Sequence, residues 1–338
     1  MNDVEQARLA DWLRSHVADF RGSLRLQPLA GGQSNPTYRV DAGEHRWVLR
    51  RKPPGVLLAS AHAVGREYRV MAALAGTDVP VPRVHALCED AGVIGSTFVV
   101  MDLVEGRVFV DPSLPGMAAG ERGAIYAAMA RTLAAIHRVD VEAVGLAGHG
   151  KPQNYLSRQI DRWTRQYRAS ETERIEAMER LIEWLPAHLP PGLDDEPGTL
   201  VHGDYRLDNL IFHPTEPRVL AVIDWELSTL GHPLADLAYH LMAWRVTPDE
   251  FRGLKGHDLA ALGIPDEATH LQDYLAAGGP APGARLDYLM AFNMFRMAAI
   301  LQGILARSLQ GNAAAADARA TGERARRMAE AGWRQAQA

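Results

Sequence analysis

Residues 200–226 read LVHGDYRLDNLIFHPTEPRVLAVIDWE, and this stretch decides what the rest of the chain has to be. His202, Gly203 and Asp204 are followed by Asn209, five positions after the carboxylate, and then by an apolar run that ends in Asp224. A carboxylate, an amide and a second carboxylate at the end of a strand can together hold Mg²⁺ and orient a hydroxyl. Phosphoryl transfer needs that set, because its catalysis is mostly positioning and charge neutralisation. Asp204 is the candidate catalytic base, placed to accept the hydroxyl proton. Asn209 and Asp224 are the candidate metal ligands, one a neutral oxygen and one an anionic oxygen. The apolar segments 210–212 and 219–223 read as a hairpin that would hold Asn209 and Asp224 together. His202 reads as an orienting residue within the loop, and Glu226 as a secondary candidate at the metal. Asp236, in the sequence GHPLADLA, reads either as a first-turn carboxylate favoured by its helix dipole or as a brace for the loop backbone, with the brace preferred.

Outward from this stretch the periodicities divide the chain. Residues 4–19 carry a helical pattern. Residues 24–26, 37–40 and 46–50 read as strands, separated by the turn-rich GGQSN at 31–35 and by DAGE at 41–44. A helix over 60–74 and strands over 84–87 and 97–103 follow. Beyond Glu105-Gly106 the pattern turns helical over 120–139, 153–169, 171–188, 233–244, 265–277 and 285–310. The Ala-rich tail from 312 reads as one docked helix. The expected fold class is α+β, a protein-kinase-like two-lobed fold. Residues 1–103 would form a small mixed α/β N-lobe that binds nucleotide, and residues 104–338 a larger, mainly helical C-lobe that carries catalysis and the acceptor.

Within the first part, Gly31 and Gly32 with Ser34 and Asn35 lie between two strands. Glycines there let backbone N–H groups approach phosphate oxygens. The pattern is neither G-x-x-x-x-G-K-[ST] nor the full G-x-G-x-x-G, and an ordinary hairpin loop has the same composition. The next strand ends in Arg50, a cation able to bind phosphate bidentately. Glu67 lies 17 residues on, in a helix, where it can pair with Arg50. The strand ending at 103 leads into a hinge, with Met101 as the apolar wall of a base pocket and the main chain of Asp102 to Val104 as its hydrogen-bonding edge. ATP and Mg²⁺ are thus the expected cofactors.

Composition excludes other classes. Lys+Arg 36 against Asp+Glu 41 gives a net charge of −5, so no basic face is advertised to nucleic acid. The single cysteine, Cys88, rules out an intrachain disulfide and a multi-cysteine metal site. The N-terminal residues are charged and amphipathic and do not read as a secretory signal. No uninterrupted apolar run approaches the roughly 18 residues needed to span a bilayer. The expectation is a cytoplasmic protein with neither a membrane nor a nucleic acid as partner.

The segments GGQSN-x-TY, VLRRKPPG, REYRVMAAL, FVVMDLVEGRVF, LVHGDYRLDNLIF and VIDWELSTLGHPLADLA, in that order, resemble the aminoglycoside phosphotransferase superfamily. Within it the chain is most similar to the branch containing the kinase domain of acyl-CoA dehydrogenase family members 10 and 11 and bacterial relatives, and QIDRWTRQY at 159–167 shares that likeness. The resemblance runs from about residue 20 to 310. It implies transfer of the γ-phosphate of ATP to the hydroxyl of a small molecule, with a hydroxyacyl-CoA as acceptor. Arg50 departs from it, standing at a position where the family has Lys. Arg158, Arg162, Arg165 and Arg168 share one helix face; they read as a solvated face paired with Glu171, Glu173 and Glu176, or as an approach for an anionic acceptor. Trp163 and Tyr167 read as core. The alternatives are an aminoglycoside or macrolide antibiotic kinase and a non-catalytic nucleotide-binding scaffold.

Overall fold

In the computed structural model, residues 1–29, 35–53, 64–311 and 317–338 are described. The chain forms two compact units, one of residues 1–107 and 210–227, the other of 108–209 and 228–338.

The first unit begins with α1 (Asp3–His16), whose start is fixed by a capping box between Asn2 and Glu5. Acidic residues in its first turn and Arg14 and His16 in its last complement the helix dipole. The strands β1 (Arg25–Pro28), β2 (Thr37–Ala42) and β3 (His45–Arg51) form the expected meander. Gly43, at φ +62°, makes the tight β2–β3 turn, a conformation that glycine adopts without a Cβ clash. Next come α2 (Val64–Leu74), β4 (Val84–Cys88), α3 (Ala91–Ile94) and β5 (Phe98–Asp102). The antiparallel sheet has the order β1-β2-β3-β5-β4. β5 has neighbours on both sides, and its residues 98–101 are buried, as the unbroken apolar run FVVM requires. Leu9, Leu13 and Phe20 pack on Val40, Trp47, Leu49, Phe98 and Val100 to make this unit's core.

The second unit is mainly helical. It opens with α4 (Ala119–His137), α5 (Tyr155–Ala169) and α6 (Glu176–Ala187), followed by the short strand β6 (Thr199–Val201). α6 starts five residues later than its sequence pattern suggests, and the Ile175 N–H donates instead to the Tyr167 hydroxyl. The chain then supplies β7 (Leu210–Phe212) and β8 (Val219–Val222) to the first unit. The sequence places the division after residue 103. The contacts instead divide the chain after Arg107 and draw the hairpin to the first unit, because Arg107 and Phe212 exchange two backbone bonds of 2.8 Å and Val222 N–H donates to Pro80 O. Gly106 permits that bridge, since a Cβ there would lie 2.2 Å from the Phe212 carbonyl oxygen.

Back in the second unit, β9 (Thr229–Gly231) pairs with β6 and leads into α7 (Pro233–Arg245). The helices α8 (Pro248–Phe251), α9 (Leu259–Leu262), α10 (Glu267–Ala276) and α11 (Leu286–Leu309) follow. The tail is two helices rather than one, α12 (Ala318–Gly322) and α13 (Ala325–Ala336), both packed on α11. α7 is buried almost throughout and packs on α11, so this pair forms the centre of the unit. The segment Gly283–Leu309 is long and apolar enough to cross a membrane by length and composition, but its 18-residue apolar window, of mean hydropathy 1.5, is 78% buried inside the protein. Asp287, Arg296 and Arg307 interrupt it, so it is no uninterrupted apolar run.

His240 of α7 and His270 of α10 are both buried and share a hydrogen bond of 2.8 Å between their Nε2 atoms. One nitrogen must donate and the other accept, so the two rings cannot both be protonated. Burial pushes His240 down to about 4 and His270 well below the ordinary histidine range, His240 adding to the second effect. In the unfolded chain both would titrate near 6.5. The unfolded state therefore binds more protons below that value, and stability falls as pH drops from about 6.5 toward 4. Unfolding by urea at pH 7.5 and 5.0 should show a loss of about 1–3 kcal/mol at the lower pH, roughly 1.4 kcal/mol per histidine per pH unit at most. A His240→Phe/His270→Phe variant should lose less between the same two pH values.

Candidate active site

Each unit carries one group of the predicted site residues. In the first, Arg50 projects from β3 with its side chain only 12% exposed. Its Nε lies 3.0 Å from Glu67 Oε2 on α2, a close charge contact without hydrogen-bond alignment. Its Nη2 donates to Asp224 Oδ1 at 2.6 Å, and Glu226 Oε2 is 3.9 Å away. Asn35, fully buried, donates from Nδ2 to Glu226 Oε2 at 3.3 Å. Its Oδ1 is buried with no hydrogen-bond partner among the described residues. Gly31, Gly32 and Ser34 lie outside the described residues.

One guanidinium thus faces three carboxylates. Burial works against the charge of Arg50, but Glu67, Asp224 and Glu226 overrule it and hold the pKa above its ordinary value. Burial pushes the Glu67 carboxyl well up; Arg50 opposes this, while the like charges of Asp224 and Glu226 add to it. Asp224 and Glu226 alone already outweigh the single positive charge of Arg50, a surplus that favours a bound cation. Asp224 itself sits at φ +65°, a left-handed conformation that Asp tolerates better than most residues but still at some strain. Trp225, fully buried with its Nε1 bonded to Val222 O, anchors the backbone that imposes it.

At the hinge, Met101 is buried at the end of β5. The Asp102 N–H donates to Arg83 O at 2.8 Å, and its carboxylate is 2.6 Å from His85 Nε2. The Leu103 N–H reaches Arg46 O only at 3.5 Å, and Val104 is half-buried.

In the second unit, the loop after β6 is held by Asp236, at the start of α7. Asp236 Oδ2 accepts the His202 N–H at 2.7 Å, and Oδ1 accepts the Gly203 N–H at 2.9 Å. Burial alone would raise this carboxyl. The bond with His137 Nε2 at 3.4 Å, the charges of His137 and His202 and the backbone N–H keep it below its usual value. His137 is held in turn by the Tyr274 hydroxyl at 2.7 Å. On the other side of the loop, Arg296 of α11 donates to Gly203 O, and its guanidinium lies over the Trp163 and Tyr239 rings at 5.5 and 5.2 Å. His202 Nδ1 accepts the Asp204 N–H at 3.2 Å, the orienting part expected of it.

Asp204 emerges from this frame with two hydrogen-bond donors and one charge partner on its carboxylate. Tyr239 OH donates to Oδ1, Arg206 Nε lies 3.1 Å from Oδ1 without hydrogen-bond alignment, and Asn209 Nδ2 donates to Oδ2 at 3.0 Å. Asn209 Nδ2 also donates to the Asp204 carbonyl at 2.8 Å. Both amide hydrogens of Asn209 are therefore committed, and its carbonyl oxygen is the atom left to ligate a cation. A carboxylate offers about four lone-pair positions, so one remains on Oδ2 for an incoming hydroxyl.

The sequence pairs Arg50 with Glu67 and sets Asp204 beside Asn209, and both contacts are present; the contacts of Arg50 with Asp224 and Glu226 carry no sequence signal. Sequence reasoning passed over Tyr239 and Arg296. Tyr239 stands one helical turn after Asp236, on the same face. Arg296 is a buried arginine in an otherwise apolar stretch of α11, and a buried charge is rarely without purpose. On the arginine face of α5, Arg168 pairs with Glu171 and Glu179, as a solvated face would. Glu173 and Glu176 pair instead with Arg326 and with Arg174 and Arg180. Arg162 lies over the Trp163 ring, its pKa lowered by burial and by Arg296. Trp163 and Tyr167 are buried in the core.

The profile of the phosphotransferase enzyme family matches residues 25–270. Acyl-CoA dehydrogenase family member 10 of Mus musculus is 49% identical over 315 residues, which cover 92% of this chain and 29% of that protein. The chain spans less than half the length of the curated relatives it matches, from 29% to 42%. A crystal structure from Ralstonia eutropha, provisionally described as an aminoglycoside phosphotransferase, is 53% identical, with a TM-score of 0.88 and 98% coverage of each chain. Aminoglycoside phosphotransferase APH(4)-Ia, solved with AMP-PNP and hygromycin B, shares the fold at 18% identity, a TM-score of 0.60 and coverage of 96% and 98%.

Asp236→Asn tests the loop support. It keeps the size of the side chain but turns one acceptor into a donor facing a buried N–H. We expect a stability loss of about 2–4 kcal/mol in urea unfolding, with turnover reduced beyond what the folded fraction explains. A His137→Ala variant should cost less on both counts.

Proposed function

We propose an acceptor and a division of labour for this chain, which belongs to the phosphotransferase enzyme family: it transfers the γ-phosphate of ATP to the hydroxyl of a hydroxyacyl-CoA. The observation that carries the catalytic part is Asp204, fixed by hydrogen bonds from Tyr239 and Asn209 and by the charge of Arg206, with a lone-pair position of Oδ2 left. Asp204 orients the acceptor hydroxyl and takes its proton. Asp236 and Arg296 hold the loop backbone, so the base needs little reorganisation when the acceptor arrives.

Arg50 orients the triphosphate and is itself aimed by Glu67. Asn35, with its buried Oδ1 and its link to Glu226, joins the phosphate loop to the same carboxylates; Gly31, Gly32 and Ser34 supply N–H groups to the phosphates. The Asp102 N–H is committed to Arg83, so at the hinge the Val104 N–H is the donor for adenine, and Met101 packs against the base. Asn209 and Asp224 are the protein ligands of Mg²⁺, with Glu226 beside them. Their oxygens, and the surplus of carboxylates around Arg50, suit a hard dication. Mg²⁺ bound to these residues would neutralise charge on the transferring phosphoryl group. Among the described residues no cluster of three or more His, Cys, Asp or Glu side chains is arranged to hold a metal by itself. The rest of the coordination is assigned to nucleotide oxygens and water, as is usual for Mg²⁺.

Two observations support an acyl-CoA as acceptor. Curated relatives at 45% and 49% identity carry the acyl-CoA dehydrogenase name. Arg162 sits beside Arg296, so an anionic acceptor would relieve a repulsion that a cationic aminoglycoside would worsen.

ADP release with Mg²⁺-ATP should be measured against hydroxyacyl-CoAs, free hydroxy acids, aminoglycosides and macrolides. We expect turnover with the hydroxyacyl-CoAs. Asp204→Asn should lower kcat by about 10²–10⁴-fold, and Asp224→Ala should abolish the Mg²⁺ dependence together with the activity. Wild-type turnover in either variant would overturn the catalytic assignment. Turnover with an antibiotic alone would overturn the acceptor while leaving the catalytic residues in place.

A further inference from the structure

We propose that a cavity beside the catalytic loop, wholly within the helical unit, receives the hydrocarbon portion of the acceptor and sets the chain length it accepts. The proposal rests on the reading of Asp204 as the base for an acceptor hydroxyl. The cavity is an open groove of about 550 Å³, the solvent at its mouth included. Met129, Met242, Trp244 and Phe251 make most of its wall, and the loop residues Arg206 and Asp208 close one end.

The polar end identifies what belongs there. Arg206 and Tyr239 both border the cavity, Tyr239 donating to Asp204 Oδ1 and Arg206 Nε lying 3.1 Å from it. A molecule in the cavity therefore touches the two side chains that flank the base, and its end at that wall is the end that can reach Asp204. From there a charge ladder runs to the mouth. Arg206 Nη1 is 3.2 Å from Asp208 Oδ2, which also accepts from Arg252 Nη1 at 2.5 Å. Arg252 borders the cavity at φ +42°, a left-handed conformation unusual outside glycine. Backbone strain of this kind persists where surrounding contacts enforce it, and here the bond to Asp208 is one such contact. Val110, 56% exposed, adds an apolar rim.

A polycationic sugar would meet two arginines and an apolar wall in this space. A hydroxylated chain satisfies both ends, with its methylenes against Met129, Met242 and Trp244 and its hydroxyl extending past Arg206 and Tyr239 to Asp204. Methionine side chains adapt to chains of different shape, so the wall tolerates a range of lengths up to a limit set by its depth.

Two substitutions move that limit in opposite directions. Ala243, half-buried on the wall, becomes a plug as Ala243→Leu. Phe251→Ala opens the mouth. Neither residue belongs to the catalytic or nucleotide-binding set. Calorimetric binding of hexanoyl-, octanoyl- and decanoyl-CoA, which lack the reactive hydroxyl, should be run on the full chain and both variants, beside ADP release with the matching hydroxyacyl-CoAs. In the wild type, affinity should rise by about fourfold per buried methylene and then level off. Ala243→Leu should level off at a shorter chain and weaken decanoyl-CoA by about tenfold or more, while Phe251→Ala should level off later. Identical length profiles in all three proteins, or no gain with length in the wild type, would overturn the cavity assignment even if hydroxyacyl-CoAs are phosphorylated. Length-dependent binding that shifts with the variants, without ADP release from any hydroxyacyl-CoA, would uphold the cavity and remove the acceptor reading.

Discussion

The chemistry of the helical unit depends on one buried carboxylate. Asp236 accepts the backbone N–H groups of His202 and Gly203, the two residues that precede Asp204. Those N–H groups sit at the end of a three-residue strand, where no ladder continues to satisfy them. Without an acceptor, each would be a buried, unpaired donor. A side chain at the start of α7 supplies both bonds at once, and because α7 packs along α11 at the centre of the unit, the loop inherits the rigidity of the core. His137 and Tyr274 extend the chain of bonds to α4 and α10, so four separate segments have to be in register for Asp204 to be placed. This makes folding of the unit and placement of the base a single event.

The first unit solves a different problem. It concentrates charge instead of satisfying backbone. Arg50 is almost removed from solvent and would be unfavourable there alone. Glu67, Asp224 and Glu226 make its burial tolerable, yet they overcompensate. A planar guanidinium reaches two carboxylates through different nitrogens, Nε toward Glu67 and Nη2 toward Asp224. A lysine ammonium at this position would be a point charge, without that fixed fork. Arginine in the place where the family has Lys is therefore consistent with a cluster in which one side chain must face acids from two directions.

Much of this was legible in the sequence, for identifiable reasons. The strands 37–40 and 46–50 show period-two patterning around a Gly-containing turn, a local signal. The H-x-D-x-x-x-x-N spacing places Asp204 and Asn209 on one loop, close enough to meet whatever surrounds them. The short helix α3 left no trace, because four residues carry no period; its evidence is the Asp90 side chain accepting the Gly92 N–H. The membership of 210–227 in the first unit was not legible either, since its partners Pro80 and Arg107 are over a hundred residues away. Tyr239, Arg252 and Arg296 were missed because each acts through a distant residue, and sequence spacing reports only neighbours along the helix.

The three contacts on Asp204 also bear on what the site can accept. Tyr239 and Arg206 converge on Oδ1, while Asn209 takes one side of Oδ2. Asn209 is the least replaceable of the three, since its second bond to the Asp204 carbonyl fixes the amide plane and thereby the direction of its own oxygen. Arg206 is shared with Asp208, which also accepts from Arg252, and it faces Asp204 without hydrogen-bond alignment, the loosest of the three contacts. Tyr239 is confined under the Arg296 guanidinium and has no such looseness. The base is thus clamped on two sides by rigid partners and on one by a looser partner, and the looser one borders the apolar cavity. A site built this way tolerates differences in the body of the acceptor more readily than differences in where its hydroxyl lies.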